Sequence, residues 1–149
     1  MAGTKYGKYV ITDSKLREPP AGISPEKRAE QARRTTGVLH LDNEVIKGAF
    51  YVDCVWFWKG SDYVNPTHAH DFDEFLTFWG TNPEDPHDLC GEVELWLEGE
   101  KHILTKSCLV FIPKGMKHCP MIVRKVDRPI LHFAAGTAGR YTESDFSST

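Results

Sequence analysis

Three histidines and a glutamate carry the plainest chemistry in this chain. His68-Ala69-His70 is followed, four residues after the second His, by Glu74. Side chains of equal parity share one face of an extended strand. A regular strand through this segment therefore aims His68, His70 and Glu74 the same way, together with Phe72, Leu76 and Phe78. Two imidazoles and a carboxylate would each be a costly burial on an apolar strand. As a set they are metal ligands presented from a stiff element inside a dry shell. The segment Pro113-Lys114-Gly115-Met116-Lys117-His118 offers a fourth. Its Pro and Gly set a tight turn, and His118 opens the strand that follows. Three neutral imidazoles and one carboxylate suit one divalent transition metal: iron, manganese, nickel, cobalt, copper or zinc. They leave such an ion with about one positive charge, which favours an anionic small-molecule ligand such as a carboxylate or enolate. An octahedral ion would keep two positions open, whereas zinc normally closes its site with four protein ligands.

The elements that must position these residues are strands. Stretches 49–58, 71–79, 92–98, 108–112, 120–126 and 129–135 are rich in β-branched and aromatic residues, with Gly, Pro, Asn and Asp between them. Short strands at this spacing predict an all-β sandwich or barrel. A parallel sheet would need a helix between successive strands, and the one helix signal lies earlier, over 24–34. There Ser24 is the N-cap, Pro25 the first helical residue, Glu26 suits the first turn, Arg33 and Arg34 the last, and Gly37 closes it. A Pro19-Pro20 turn precedes it. Residues 80–91, with two prolines and several acids, form a loop outside the sheet that could act as a lid. Both faces of 49–58 are largely apolar, with Tyr51 and Asp53 on one and Trp56 and Trp58 on the other. His132 sits in an apolar strand; His40, His87 and His102 belong to no motif.

Composition narrows the class of function. The chain has 149 residues, 40% hydrophobic and 26% charged, enough for one domain with its own core. Its 18 basic and 21 acidic residues give a net charge of −3, which argues against nucleic-acid binding. No apolar run is long enough to span a membrane, and the N-terminus lacks the apolar core of a secretion signal, so a cytoplasmic setting is expected. The four cysteines form no Cys-x-x-Cys pair and read as reduced thiols; Cys119 directly follows His118.

At its ligand-bearing segments the sequence resembles the cupin superfamily. The first family motif carries His-x-His, a Glu a few residues on and then a Gly, here His68, His70, Glu74 and Gly80. The second carries Pro-x-Gly-x-x-His, here Pro113, Gly115 and His118. Asp62, Ser107 and Ile122 stand where the family pattern has Gly, Gly and Asn. The likeness covers about residues 50–134. It implies a small antiparallel jelly-roll barrel over 49–135, preceded by an extension over 1–48 with the helix and a first strand, and followed by a polar tail over 136–149. It also implies one metal held by the three His and the Glu, a homodimer paired through outer strands, and a metal-dependent enzyme acting on a small oxygenated or carboxylate metabolite. The ligand set leans the reading toward dioxygenase-like chemistry, by analogy. A redox-neutral lyase, decarboxylase or isomerase, or a non-catalytic ligand-binding barrel, is the alternative. Candidate catalytic groups beside the metal are His132 and Tyr51, and candidate pocket residues are Phe72, Phe78 and Trp56.

Overall fold

The computed structural model describes residues 3–13, 22–142 and 144–145. The Pro19-Pro20 turn lies outside them, as does most of the tail beyond residue 142. Helix α1, Pro25–Arg34, starts as its sequence dictates: the Ser24 hydroxyl accepts the Lys27 N–H at 3.2 Å, and Pro25 needs no partner at the first position. It ends earlier than Gly37. Thr35 and Thr36 are β-branched and pass straight into strand β1, Thr35–Leu41, so Gly37 instead sits at a register shift in that strand.

Nine further strands follow: β2 (Tyr51–Phe57), β3 (His68–Ala69), β4 (Glu74–Trp79), β5 (Asp88–Leu97), β6 (Glu100–Lys106), β7 (Cys108–Ile112), β8 (His118–Val126), β9 (Ile130–Gly136) and β10 (Ser144–Asp145). They build two antiparallel five-stranded sheets, ordered β1-β2-β9-β4-β7 and β10-β3-β8-β5-β6. This is the antiparallel jelly-roll barrel with a short N-terminal helix that the sequence implies. The period-two pattern turns Phe57, Leu76, Phe78, Ile112 and Ile130 of the first sheet onto Leu89, Val93, Leu95 and Val123 of the second. Strand β6 has no apolar alternation to betray it. It exists because Glu98 and Gly99, both at positive φ (47° and 78°), make the tight turn that folds it back onto β5.

Two expectations about connections are corrected. Residues 71–79 are not one strand: the chain bends at Asp71 and Phe72 and changes sheet, so only 74–79 is extended. The 80–91 segment is not wholly a loop outside the sheet: residues 88–91 open β5, with Asp88 paired to Lys106 and Gly91 to Val126. Ser107 ties the segment down, accepting the Gly80 N–H and donating to the Pro86 carbonyl, and no residue of it lines the cavity described next.

Candidate metal centre

The site lies on the seam between the sheets. His68 and His118 are cross-strand partners on β3 and β8 in the second sheet. Glu74 opens β4 in the first, beside Ile112 and Gly136. His70 lies on the crossover between them. Backbone bonds fix that crossover to the turn before His118: the Gly115 N–H donates to the His70 carbonyl at 2.9 Å, and the Lys114 N–H to the Asp73 carboxylate at 2.9 Å. Gly115 holds the turn at φ 83°, where a side chain would be strained. The two motifs are therefore clasped before any ion is considered.

One ligand atom from each of His68, His70 and His118 lies within 4.8 Å of the others, and all three residues are buried. Each ring has its Nδ1 against a backbone carbonyl: His68 to Pro66 at 2.8 Å, His70 to Thr142 at 2.7 Å, His118 to Met116 at 3.0 Å. A ring that donates from Nδ1 presents a lone pair at Nε2. Those Nε2 atoms face inward. For His70 and His118 the nearest carboxylate is Glu74 Oε1, at 3.2 and 3.4 Å. The His118 Nε2 is buried and makes no hydrogen bond. Lone pairs converging on a buried carboxylate call for a cation among them. The three-histidine group could hold a metal ion, and these residues fit one.

Tyr51 is fully buried and donates its hydroxyl to Glu74 Oε2. The two side chains meet across Gly136, the backbone partner of both. A Cβ there would stand 2.5 Å from the Tyr51 ring and 2.4 Å from that of Phe72, so only glycine leaves the path open. Burial and the negative charge of Glu74 push the Tyr51 hydroxyl far above its ordinary range. It is a fixed donor that orients the carboxylate.

A cavity of about 330 Å³ adjoins His68, His118 and Glu74, and Asp53, Val55, Phe57, Leu76, His132 and Ala134 also line it. Asp53, Val55 and Phe57 of β2 face it. Trp56 was expected at this pocket; it points the other way and stacks on Trp58 at 5.3 Å. Phe72 and Phe78 also stand off the cavity wall. Phe72 stacks on the back of His70 at 4.8 Å, because the bend at 71–72 turns it behind the ligands. Phe78 is fully buried in the core and stacks on His132 at 4.8 Å. His132 does line the cavity, held between Phe78 and Phe57, with Nδ1 2.9 Å from the Thr77 carbonyl. Burial pulls it down to about 4, so it is a neutral imidazole at pH 7. Cys119 lines the cavity beside His118, and Asn65 donates to its sulfur at 3.2 Å.

Sequence reasoning missed several neighbours of the site. The polar tail carries no motif, yet Thr142 orients His70 and the Tyr141 hydroxyl lies 3.3 Å from His68 Nε2. Gln31 and Arg34 of α1, with Ser61, Tyr63 and Asn65, also line the cavity. None of these carries a motif. The alternation of β2 was the only signal for Asp53, and it needed a known inward face.

No family model matches the chain, and no curated protein matches it. Among solved structures, the chain is similar to oxalate oxidase in complex with the substrate analogue glycolate, with a TM-score of 0.56 and 15% identity over 97% of this chain and 66% of that one. It thus spans just under two thirds of that protein's length. It is also similar to a cupin-like protein from Thermotoga maritima (TM-score 0.52, 15% identity, 90% of each chain). A third likeness is to the polyketide cyclase RemF from Streptomyces resistomycificus (TM-score 0.50, 18% identity, 76% of this chain and 72% of that one). What they share with this chain is the cupin fold.

Proposed function

We propose that this chain is a metal-dependent enzyme acting on a small oxygenated or carboxylate metabolite, with His68, His70, Glu74 and His118 as the metal ligands. One observation carries the reading: three inward Nε2 atoms, each oriented by a backbone carbonyl, meet a buried carboxylate beside a cavity. A bound transition metal would supply Lewis-acid or redox chemistry there. The chain's own residues do the rest. Tyr51 holds one Glu74 oxygen and leaves the other facing the histidines. Val55, Phe57, Leu76 and Val123 keep the cavity wall apolar and exclude water. His132, donating from Nδ1 to Thr77, offers its other nitrogen as a hydrogen-bond acceptor for a ligand. A redox-active metal held by these four residues would supply the chemistry of a dioxygenase-like reaction. A redox-neutral lyase, decarboxylase or isomerase is the second reading, favoured by the ionisable Asp53 and His132 on the cavity wall.

The substrate is an anion, drawn by the residual positive charge of the metal site. The active form is a homodimer. Supporting this, the outer face of the first sheet exposes Phe75, Trp79, Leu109 and Phe111, with Phe75 paired to Phe111 across β4 and β7. The four cysteines are free thiols, which supports a reducing, cytoplasmic setting; among the described residues no helix is long and apolar enough to cross a membrane.

Elemental analysis of untagged protein, grown without added metal, tests the reading. About one iron, manganese, nickel, cobalt or copper per chain is expected. Small acids and diketones are then screened with and without oxygen, and oxygen-dependent turnover separates the two reaction classes. Absence of metal after reconstitution overturns the reading.

A further inference from the structure

A second group of ionisable side chains reaches the same cavity through one member, Asp53. Asp53 sits on the inner face of β2, two residues beyond Tyr51, and lines the cavity together with His68, Glu74, His118 and His132. Two residues of strand put it roughly 7 Å from the row of Tyr51, Gly136 and Glu74. Its neighbour on β9 is Ala134, whose methyl is too short to cover it. Behind it stands His40, its partner on β1. His40 Nδ1 is 2.5 Å from Asp53 Oδ1, and His40 Nε2 is 2.8 Å from Asp42 Oδ2. A ring with a carboxylate on each nitrogen donates from both and so carries a positive charge. Asp42 is itself fixed by the backbone N–H groups of Glu44 and Val45, at 2.8 and 3.2 Å. Two carboxylates and one imidazolium sum to one negative charge, and Asp53 is the member of the three that meets the cavity.

We infer that Asp53, locked in place by His40, is a second recognition point in the cavity, accepting a hydroxyl or ammonium group of a ligand whose acidic oxygens lie at the metal site. The inference rests on the metal-centre reading above and sharpens its substrate class to small acids that carry a hydrogen-bond donor several atoms from the acidic end. Fixation is what suits Asp53 to this role. The bond to His40 keeps the carboxylate from turning, so no ordering of this group opposes binding. The other charged or titratable groups on the cavity do not supply the same function. Glu74 faces the histidines, His132 is neutral, and the Arg34 guanidinium donates to the Gly60 carbonyl and pairs with Glu30. A plain dicarboxylate would place its second anion against Asp53 and be rejected.

The test uses the full chain loaded with manganese, with metal content measured first, and titration calorimetry against four probes: butyrate, 4-hydroxybutyrate, 4-aminobutyrate and succinate. 4-Hydroxybutyrate and 4-aminobutyrate are expected to bind about 10-fold or more tighter than butyrate, the usual worth of a hydrogen bond to a charged group, and succinate more weakly. In Asp53→Asn at equal metal content, the preference for 4-aminobutyrate over butyrate is expected to disappear and succinate to gain. Equal binding of butyrate and both donor-bearing probes by the unmodified protein overturns the inference, with no variant needed. So does an unchanged preference in a folded Asp53→Asn. Failure to take up manganese, or in its place iron, nickel, cobalt or copper, appears before any probe is added and overturns the metal-centre reading itself.

Discussion

His40 and His118 are both buried histidines beside carboxylates, and they manage their nitrogens in opposite ways. His40 gives both to carboxylates, Asp53 and Asp42. Burial disfavours its charge, but the two hydrogen bonds and the two negative charges outweigh that and raise it above 6.5. The ring has both nitrogens engaged and offers none to an ion. His118 gives one nitrogen to the Met116 carbonyl and turns the other toward Glu74, His68 and His70 without a hydrogen bond. The residue types are the same in both places. What differs is whether backbone carbonyls or carboxylates take the ring N–H groups, and that difference separates a saturated imidazole from a candidate metal ligand.

Removal of a ligand should break the contrast most severely. His118→Ala or His68→Ala should weaken metal binding by more than the ~10–100-fold that loss of a supporting partner costs, while the same change at His40 should leave metal content intact. Competition with a chelator, read by elemental analysis, checks both; full occupancy in His118→Ala would remove the ligand assignment. His132 provides the next largest effect, because it is buried with no carboxylate in hydrogen-bond contact and is pushed the other way. With a folded value of about 4 against 6.5 unfolded, the unfolded chain binds the extra proton between those pH values. Stability should therefore rise by about 3 kcal/mol from pH 4 to 6.5 on this account. His132→Gln should flatten that part of a denaturant-midpoint profile against pH.

Tyr51→Phe sharpens the comparison from the metal side. It deletes only the hydroxyl that orients Glu74, so the fold should survive and metal affinity should fall ~10–100-fold. A chelator titration showing no change would mean that Glu74 is held by its other contacts. The smallest effect belongs to His40. Its folded value is raised, so the stability from its charged form is complete below pH 6.5 and lost as pH climbs through the folded value. Asp42→Asn should shrink that alkaline loss, seen by thermal unfolding between pH 6 and 9 and by the imidazole NMR titration. The proposed dimer has its own check: Leu109→Asp with Phe111→Glu should yield monomer by light scattering while the metal content stays normal.

Much of this was legible in advance where a local rule sufficed. The N-cap of α1, the alternation of β5 and the turn at Gly115 are properties of a few adjacent residues. The His and Glu spacing named a convergent set, although its parity argument assumed a strand that does not exist. The chain changes sheet between His70 and Glu74, and convergence is produced by two sheets facing each other across a seam. Trp56 was misplaced because both faces of β2 are apolar, so hydrophobicity alone could not say which one looks inward.

The order of residues by itself determined the all-β class, those strands with apolar alternation, the helix start and the identity of the candidate ligand side chains, because each follows from short-range periodicity, capping or motif spacing. Tertiary structure alone decided which backbone carbonyls take the histidine N–H groups and that Tyr51 reaches Glu74 across a side-chain-free Gly136. It also decided that His40 and Asp42, thirteen and eleven positions before Asp53, stand behind that residue. These outcomes depend on register between strands distant in sequence. Register is set by the packing of whole sheets.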